Sequence, residues 1–325
     1  RRIKHLALDM DGTIYMENNI FPFTVVPVRE SAFDTVLGHS RGLQQVIQLA
    51  RKVAVTDVPV LLTGETGTGK EVFAQAIHNG SARAKQPFVA INCSAFSKEL
   101  LESEIFGHKA GAFTGALKDK KGLFEEANHG TIFLDEIGEM AYGLQAKLLR
   151  VLETGEYIKV GDTKPTKIDV RIVSATNRNL KEEIANSNFR EDLYFRLSVF
   201  HLHLPPLRER REDIPELAAA FLKFFAAKMG KQVKGFAADC QAWMQSYAWP
   251  GNVRELRNVI ERALIICDDY ITLDDMPLDF RSSTLSGSAA DGDDFELAEA
   301  EHRHIQRVLQ YTKGNKAEAA RLLKI

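Results

Sequence analysis

One short stretch constrains this chain more than any other. An apolar, β-branched run at 58–63 leads without a break into Gly64-Glu65-Thr66-Gly67-Thr68-Gly69-Lys70, and a helical pattern follows at 71–78. A G-x-x-x-x-G-K loop set between a strand and a helix is a phosphate cradle. Its glycines let successive backbone N–H groups turn inward around the β-phosphate, and the positive end of the helix dipole adds to the attraction. Lys70 is expected to reach the β- and γ-phosphates. A Gly- and Thr-rich turn with a solvated lysine is the plain alternative, and the flanking strand and helix argue against it. The residue after the lysine is Glu71, not the Ser or Thr that ordinarily ligates Mg2+. The metal must therefore lean on phosphates, water and a second acid.

That acid is offered by Thr131-Ile132-Phe133-Leu134-Asp135-Glu136. A buried strand ending in two carboxylates presents them at the C-terminal edge of a parallel sheet, beside the phosphate loop. Asp135 is expected to hold Mg2+, directly or through water. Glu136 is expected to orient and polarise the attacking water for in-line transfer. Alone, a strand ending in Asp-Glu signals little beyond a solvent-exposed terminus; downstream of a phosphate loop it points to nucleotide hydrolysis.

The rest of the chain has room for a full α/β core. Its 325 residues are 45% hydrophobic and 26% charged, the balance of an ordinary globular protein. Strand candidates recur at 58–63, 88–92, 131–134, 170–174 and 199–204, each short, apolar and separated from the next by helical patterns. That alternation predicts a mostly parallel sheet between helices. After Arg208 the pattern changes to three amphipathic helices, 213–229, 238–247 and 253–267, which predict a small helical subdomain. Residues 281–294 read as a flexible linker, and 295–310 and 316–323 as two further helices. A net charge of -2 excludes a globally basic nucleic-acid binder while leaving room for a local DNA-reading module. Cys93, Cys240 and Cys267 form no metal spacing and are predicted to be reduced, buried thiols. The richest apolar run, 218–227, is interrupted by Lys223; no membrane span is predicted, and the expected location is the cytoplasm.

The stretch Glu104-Ile105-Phe106-Gly107-His108-Lys109-Ala110 continues into Gly111-Ala112-Phe113-Thr114-Gly115-Ala116. With this GAFTGA run and a phosphate loop of the form GETGTGKE, residues 33–280 resemble the sigma-54 interaction domain of the AAA+ superfamily. The resemblance implies an AAA+ P-loop NTPase: a five-stranded parallel sheet sandwiched by helices (32–208) and a helical lid (209–280). It implies ATP and Mg2+ at Gly64, Glu65, Thr66, Gly67, Thr68, Gly69, Lys70 and Glu71, and a homo-oligomeric ring, a hexamer. It also implies signal-responsive action on sigma-54 RNA polymerase.

From the residues alone, Phe113 reads equally as a loop tip or as a core aromatic between two turn-forming glycines. The resemblance implies the loop, with Gly111, Ala112, Phe113, Thr114, Gly115 and Ala116 contacting sigma-54 and Phe113 and Thr114 central. It further implies that Asn92 senses nucleotide state and positions Glu136, although a turn-capping Asn fits as well. Thr176 and Asn177, after the strand at 170–174, match the first sensor. In Phe189–Leu197, Arg190 and Arg196 match the arginines that reach a neighbouring subunit's nucleotide; residues alone favour a surface cluster of Arg190, Glu191 and Asp192. Pro250 and Gly251 break a helix, Asn252 is expected to cap the next, and Arg254 falls in its first turn. A cation there opposes the helix dipole, so a phosphate partner accounts for it, and the resemblance makes Arg254 the second sensor.

Both ends carry partial patterns. Asp9-Met10-Asp11-Gly12-Thr13 resembles the first motif of haloacid-dehalogenase-type phosphatases, with Asp9 as nucleophile, Asp11 as general acid/base and Mg2+ between them. Only residues 1–24 fit it, and a fusion junction accounts for the segment better than a phosphatase does. Residues 295–325 resemble the start of a Fis-type helix-turn-helix that stops at Ile325, before a recognition helix; a plain helical hairpin fits the residues nearly as well. Enhancer DNA is the partner implied for a full-length relative. The sequence thus predicts an ATP-hydrolysing sigma-54-dependent transcriptional activator that remodels the polymerase closed complex. An AAA+ remodeller of another target and a Mg2+-dependent phosphatase are the alternatives.

Overall fold

The computed structural model describes residues 6–8, 14–16 and 32–277, together with the helical residues 316, 320 and 321. Asp9 and Asp11, the linker at 281–294 and nearly all of 295–325 lie outside the described residues. The chain divides into two units, Arg1–Pro277 and Leu278–Ile325. Near its start, Leu6–Leu8 pairs antiparallel with Ile14–Met16.

Five strands form the central sheet: β1 Val60–Thr63, β2 Phe88–Asn92, β3 Thr131–Asp135, β4 Arg171–Thr176 and β5 Phe200–His203. Their order is β2-β3-β4-β1-β5, and every neighbouring pair is parallel. β4 runs past the predicted end at 174 because Ala175 and Thr176 are also buried, so Thr176 closes the strand rather than following it. Parallel neighbours require crossovers, and helices supply them. They are α1 Arg41–Ala54, α2 Lys70–Asn79, α3 Lys98–Phe106, α4 Leu123–Glu126, α5 Tyr142–Thr154, α6 Leu180–Ala185 and α7 Glu191–Leu197.

Successive strand residues face opposite sides, which sorts the core into two layers. Leu61, Ile132, Leu134 and Ile172 pack with α3, α4, α5 and α7 through Leu101, Phe124, Leu148 and Leu193. Val60, Leu62, Phe133 and Val173 pack on the other side with Leu43 and Ile47 of α1 and Phe73 and Ile77 of α2. Each such side chain contributes about 1.5–3 kcal/mol by leaving water. The C-terminal end of α1 is closed by Arg171, 1% exposed, whose guanidinium donates to Ala54 O at 2.7 Å and Val53 O at 2.9 Å. A cation there meets the negative end of the helix dipole.

The helical part comprises α8 Ile214–Met229, α9 Ala238–Ser246 and α10 Asn252–Ile266, with a short parallel pair, Gly235–Phe236 and Tyr270–Ile271. α8 begins one residue later than the pattern predicts, after a 3-10 turn at Arg211–Asp213. The buried Asp213 accepts hydrogen bonds from His39 N and Ser40 N at 2.7 Å and Ser40 Oγ at 2.6 Å, tying the start of α8 to the segment before α1. A hairpin that the hydrophobic pattern does not announce, Glu156–Ile158 with Pro165–Lys167, follows α5.

Candidate active site and projecting loop

The order β3-β4-β1 brings the C-terminal ends of those strands to a switch point, where open α/β sheets bind ligands. The phosphate loop leaves β1 there. Gly69 takes a left-handed φ of 101° at the N-cap of α2, with open space where a Cβ would stand. Lys70, the first residue of α2, is 7% exposed and its Nζ donates to Gly64 O at 3.0 Å and Glu65 O at 3.2 Å. Burial lowers its pKa, and the carboxylates of Glu136 and Asp135 oppose that shift. Thr68 Oγ1 donates to Glu65 O at 2.9 Å and closes the turn.

Asp135 ends β3 and is pushed up to about 6, by burial first and then by the Glu136 charge beside it. Glu136 sits in left-handed backbone, φ 49° and ψ 47°, a strained conformation for a residue with a side chain and one that clusters at functional sites. Asn177 N–H faces Glu136 Oε2 at 3.4 Å, and Asn177 Nδ2 donates to Thr66 Oγ1 at 2.9 Å. The ends of β1, β3 and β4 are thereby joined as the motif spacing predicts. Asn92 pairs in register with Asp135, but its Oδ1 accepts from Ser94 N at 2.8 Å and Ser94 Oγ at 2.7 Å. In this structure it caps the turn after β2.

The cavity beside the loop has two chemistries. Its lining includes the polar residues Thr68, Lys70, Glu71, Asp135, Glu136, Arg210 and Arg254 with Gly67, and the apolar residues Val36, Leu37, Leu217 and Phe221. A lining that joins charged and apolar side chains suits a nucleotide's phosphates and base, and the adjacent acids Asp135 and Glu136 suit a divalent cation shared with phosphates. Among the described residues no cluster of three or more His, Cys, Asp or Glu could hold a metal unaided. Arg210 escaped the sequence patterns. It is 4% exposed, donates from Nη2 to Thr68 O at 2.9 Å, and keeps a buried Nε with no partner. Burial brings its pKa down to about 10. Its signal in the sequence was the run Arg208-Glu209-Arg210-Arg211, legible only as a boundary between subdomains.

Asn252 is not the cap of α10. The structure makes it the first helical residue, behind Gly251 and with a left-handed φ of 53°. Its side chain turns away from the helix to bond the phosphate loop and Leu207.

Arg190 and Arg196 do not line this cavity. Arg190 grips Asp192 through Nε at 3.0 Å and Nη2 at 2.7 Å and lies over the Tyr142 ring at 5.6 Å. Arg196 faces Glu153 at 3.5 Å.

The second feature is the segment between α3 and α4. Its base is pinned: His108 N donates to Lys120 O at 3.1 Å, Lys109 N to Val160 O at 3.0 Å, and Lys109 Nζ pairs with Asp119 at 2.7 Å. Its tip is a tight turn closed by Gly111 N to Ala116 O at 2.8 Å. Ala112 is half-buried, Thr114 is exposed, Ala116 is buried, and Gly111 and Gly115 have open space around them. Phe113 is 41% exposed and stacks edge-on against His108 at 4.9 Å, so it is neither free nor in the core. Leu117, 89% exposed, adds a second apolar side chain beside the motif.

Elsewhere, Cys93, Cys240 and Cys267 are free and buried. No helix among the described residues is long and apolar enough to cross a membrane.

Residues 36–203 match the Sigma-54 interaction domain family, residues 208–292 the AAA+ ATPase lid domain, and residues 296–325 the Fis family of bacterial regulatory proteins. The chain is 44% identical over 307 residues to the transcriptional regulatory protein ZraR of Klebsiella oxytoca, covering 94% of this chain and 68% of ZraR. It is 44% identical to the phenol regulator MopR of Acinetobacter guillouiae, covering 89% of this chain and 54% of MopR. The chain thus spans between half and about two thirds of these relatives. Among solved structures, NtrX from Brucella abortus in complex with ADP superposes with a TM-score of 0.73 at 36% identity, covering 89% of this chain and 67% of NtrX. NtrX in complex with ATP gives 0.73 at 35% identity, covering 89% and 66%. The sheet, phosphate loop and helical lid described above are the AAA+ P-loop fold.

Proposed function

The chain belongs to the sigma-54 interaction domain family, and from that premise we propose that it is an ATP-hydrolysing, ring-forming activator that works on sigma-54 RNA polymerase through the Phe113 loop. The observation that carries this reading is the pairing, in one domain, of a phosphate-loop cavity holding the buried Lys70 and the half-buried Asp135 and Glu136 with a loop pinned at its base whose Phe113 and Leu117 stay exposed.

In this reading Lys70 exchanges its bonds to Gly64 O and Glu65 O for phosphate oxygens, which removes little and adds charge pairing. Arg254 and Arg210, at the lid side of the cavity, meet the same negative charge. Glu136, fixed by its strained backbone and by Asn177 N–H, accepts a proton from the attacking water as general base. Asp135, with the phosphates, would hold Mg2+, which would supply positive charge against the charge that builds during transfer. Arg190 and Arg196 lie outside their own cavity, which supports their reaching a neighbouring subunit's nucleotide in a ring, a hexamer by family resemblance. Asn92, one residue from Glu136 in register, suits a role in reporting nucleotide state. Gly111, Ala112, Phe113, Thr114, Gly115 and Ala116 form the contact with sigma-54, and residues 296–325 supply part of an enhancer-DNA module. The setting is the bacterial cytoplasm.

The test is open-complex formation at a sigma-54 promoter with purified polymerase. Wild-type chain with ATP is expected to open the complex and Lys70→Ala is not. A chain that hydrolyses ATP yet opens no sigma-54 complex would instead be a remodeller of another target.

A further inference from the structure

A glutamate inside a phosphate loop needs an explanation, because a carboxylate repels phosphate. Glu65 does not line the nucleotide cavity. Its carboxylate points to the lid side, where Arg208 Nη1 and Nη2 donate to it at 2.8 and 2.6 Å and Asn252 Nδ2 at 3.1 Å. These bonds, the Arg208 pair first, hold its pKa down at about 2.

Asn252 completes the tie. Its amide nitrogen also donates to Thr66 O at 3.0 Å, and its Oδ1 accepts from Leu207 N at 2.7 Å. The residue is fully buried, and its left-handed φ of 53° is a conformation that asparagine adopts more readily than most side chains. The next residue donates Val253 N to Gly67 O at 3.0 Å, and a Cβ on Gly67 would stand 2.4 Å from Gly251 O. Three segments distant in the chain therefore meet at one carboxylate: the phosphate loop, the turn Leu207–Glu209 that leads out of the sheet, and the first residues of α10. Arg254 lies two residues beyond Asn252 and lines the cavity with Lys70.

We propose that Glu65 and Asn252 are positioning residues that fix where the lid's Arg254 stands over the phosphate loop, with Arg208 as the brace. The inference rests on the nucleotide-binding reading above and adds to it a tie within one subunit. The Glu65 carboxylate is bonded to Arg208 and Asn252 outside the cavity lining, and it acts through Asn252 on the placement of Arg254.

The experiment is a double-mutant cycle on the full chain, reading ADP affinity by titration. Glu65→Gln is expected to weaken ADP binding about tenfold in the wild-type background and less than about twofold when Arg254→Ala is already present, because coupled residues are non-additive. Equal losses in both backgrounds, or no loss in the wild type, would overturn the proposal. A second measurement, hydrogen exchange without nucleotide, covers the case in which Arg254→Ala binds too weakly to titrate. Glu65→Gln should speed exchange in the peptide spanning 249–256 and leave β3 unchanged. No change in that peptide, or an equal rise in β3, would also overturn it. A wild-type chain that fails to bind ADP would defeat the nucleotide reading instead, while the exchange result would still decide the tie.

Discussion

The molecule has two glycine-rich loops built to opposite specifications. The phosphate loop is tied to distant segments: a Cβ on Gly67 would meet backbone oxygen at 2.4 Å, Thr66 is bonded to Asn177 just past β4, and Glu65 to Asn252 of the lid, while Gly69 alone of its glycines has open space. In the segment between α3 and α4 the base is pinned to the rest of the domain, and the tip is held by its own turn and by the stack of Phe113 on His108. A Cβ on Gly111 or Gly115 would meet nothing within 4 Å, and Phe113 and Leu117 stay exposed. The same residue type serves closeness at Gly67 and freedom at Gly111 and Gly115. Chemistry on a phosphate needs donors held in place; capture of a partner needs an apolar anchor that nothing in its own chain buries.

The largest effect expected on this contrast comes from Lys70→Ala, which should lower ATPase kcat/KM by about a hundredfold or more and leave the fold intact by circular dichroism. Activity close to wild type would remove the phosphate loop from the hydrolytic site. Next in size is a pair of glycine substitutions read by urea denaturation. Gly67→Ala must push against Gly251 O and should cost about 1–3 kcal/mol. Gly111→Ala, left-handed but in open space, should cost only about 1 kcal/mol. Equal costs would break the contrast.

A pH series sharpens it further. Asp135 has a folded pKa of about 6 against 3.8 for the free side chain. A raised carboxyl favours the fold when protonated, so its contribution is fully present below 3.8 and is lost as pH rises through about 6. Asp135→Asn should flatten the nucleotide-free stability profile across that window, and an unchanged profile would count against the buried acid. The smallest stability effect belongs to Leu117→Ala, within about 0.5 kcal/mol because the side chain is 89% exposed. Activation should fall all the same if Leu117 shares the contact surface.

Local patterns made much of this legible in the sequence. The five strands lie within a few residues of their predicted places; β1, β3 and β4 are short runs buried nearly throughout, whereas the edge strands β2 and β5 each bury a single residue, Ile91 and Leu202. Lys70, Asp135 and Glu136 followed from motif spacing that the parallel sheet then folds together. What stayed hidden depends on distance along the chain. Asn252 read as a helix cap, yet its partner Glu65 is 187 residues away, and no local rule couples them. Arg210 lay in a charged run whose burial only the packed lid creates. The hairpin Glu156–Ile158 with Pro165–Lys167 is short and partly polar, too weak a pattern to stand out. Phe113 fell between its two sequence readings, exposed on one side and stacked on His108 on the other.

The central claim is that hydrolysis and partner contact reside in separate loops of one domain. Its most direct measurement is Phe113→Ala assayed side by side for ATP turnover and for open-complex formation by sigma-54 polymerase. ATP turnover should stay within about twofold of wild type, since Phe113 is absent from the cavity lining, while open-complex formation is lost. Retention of both activities, or loss of both together, would contradict it.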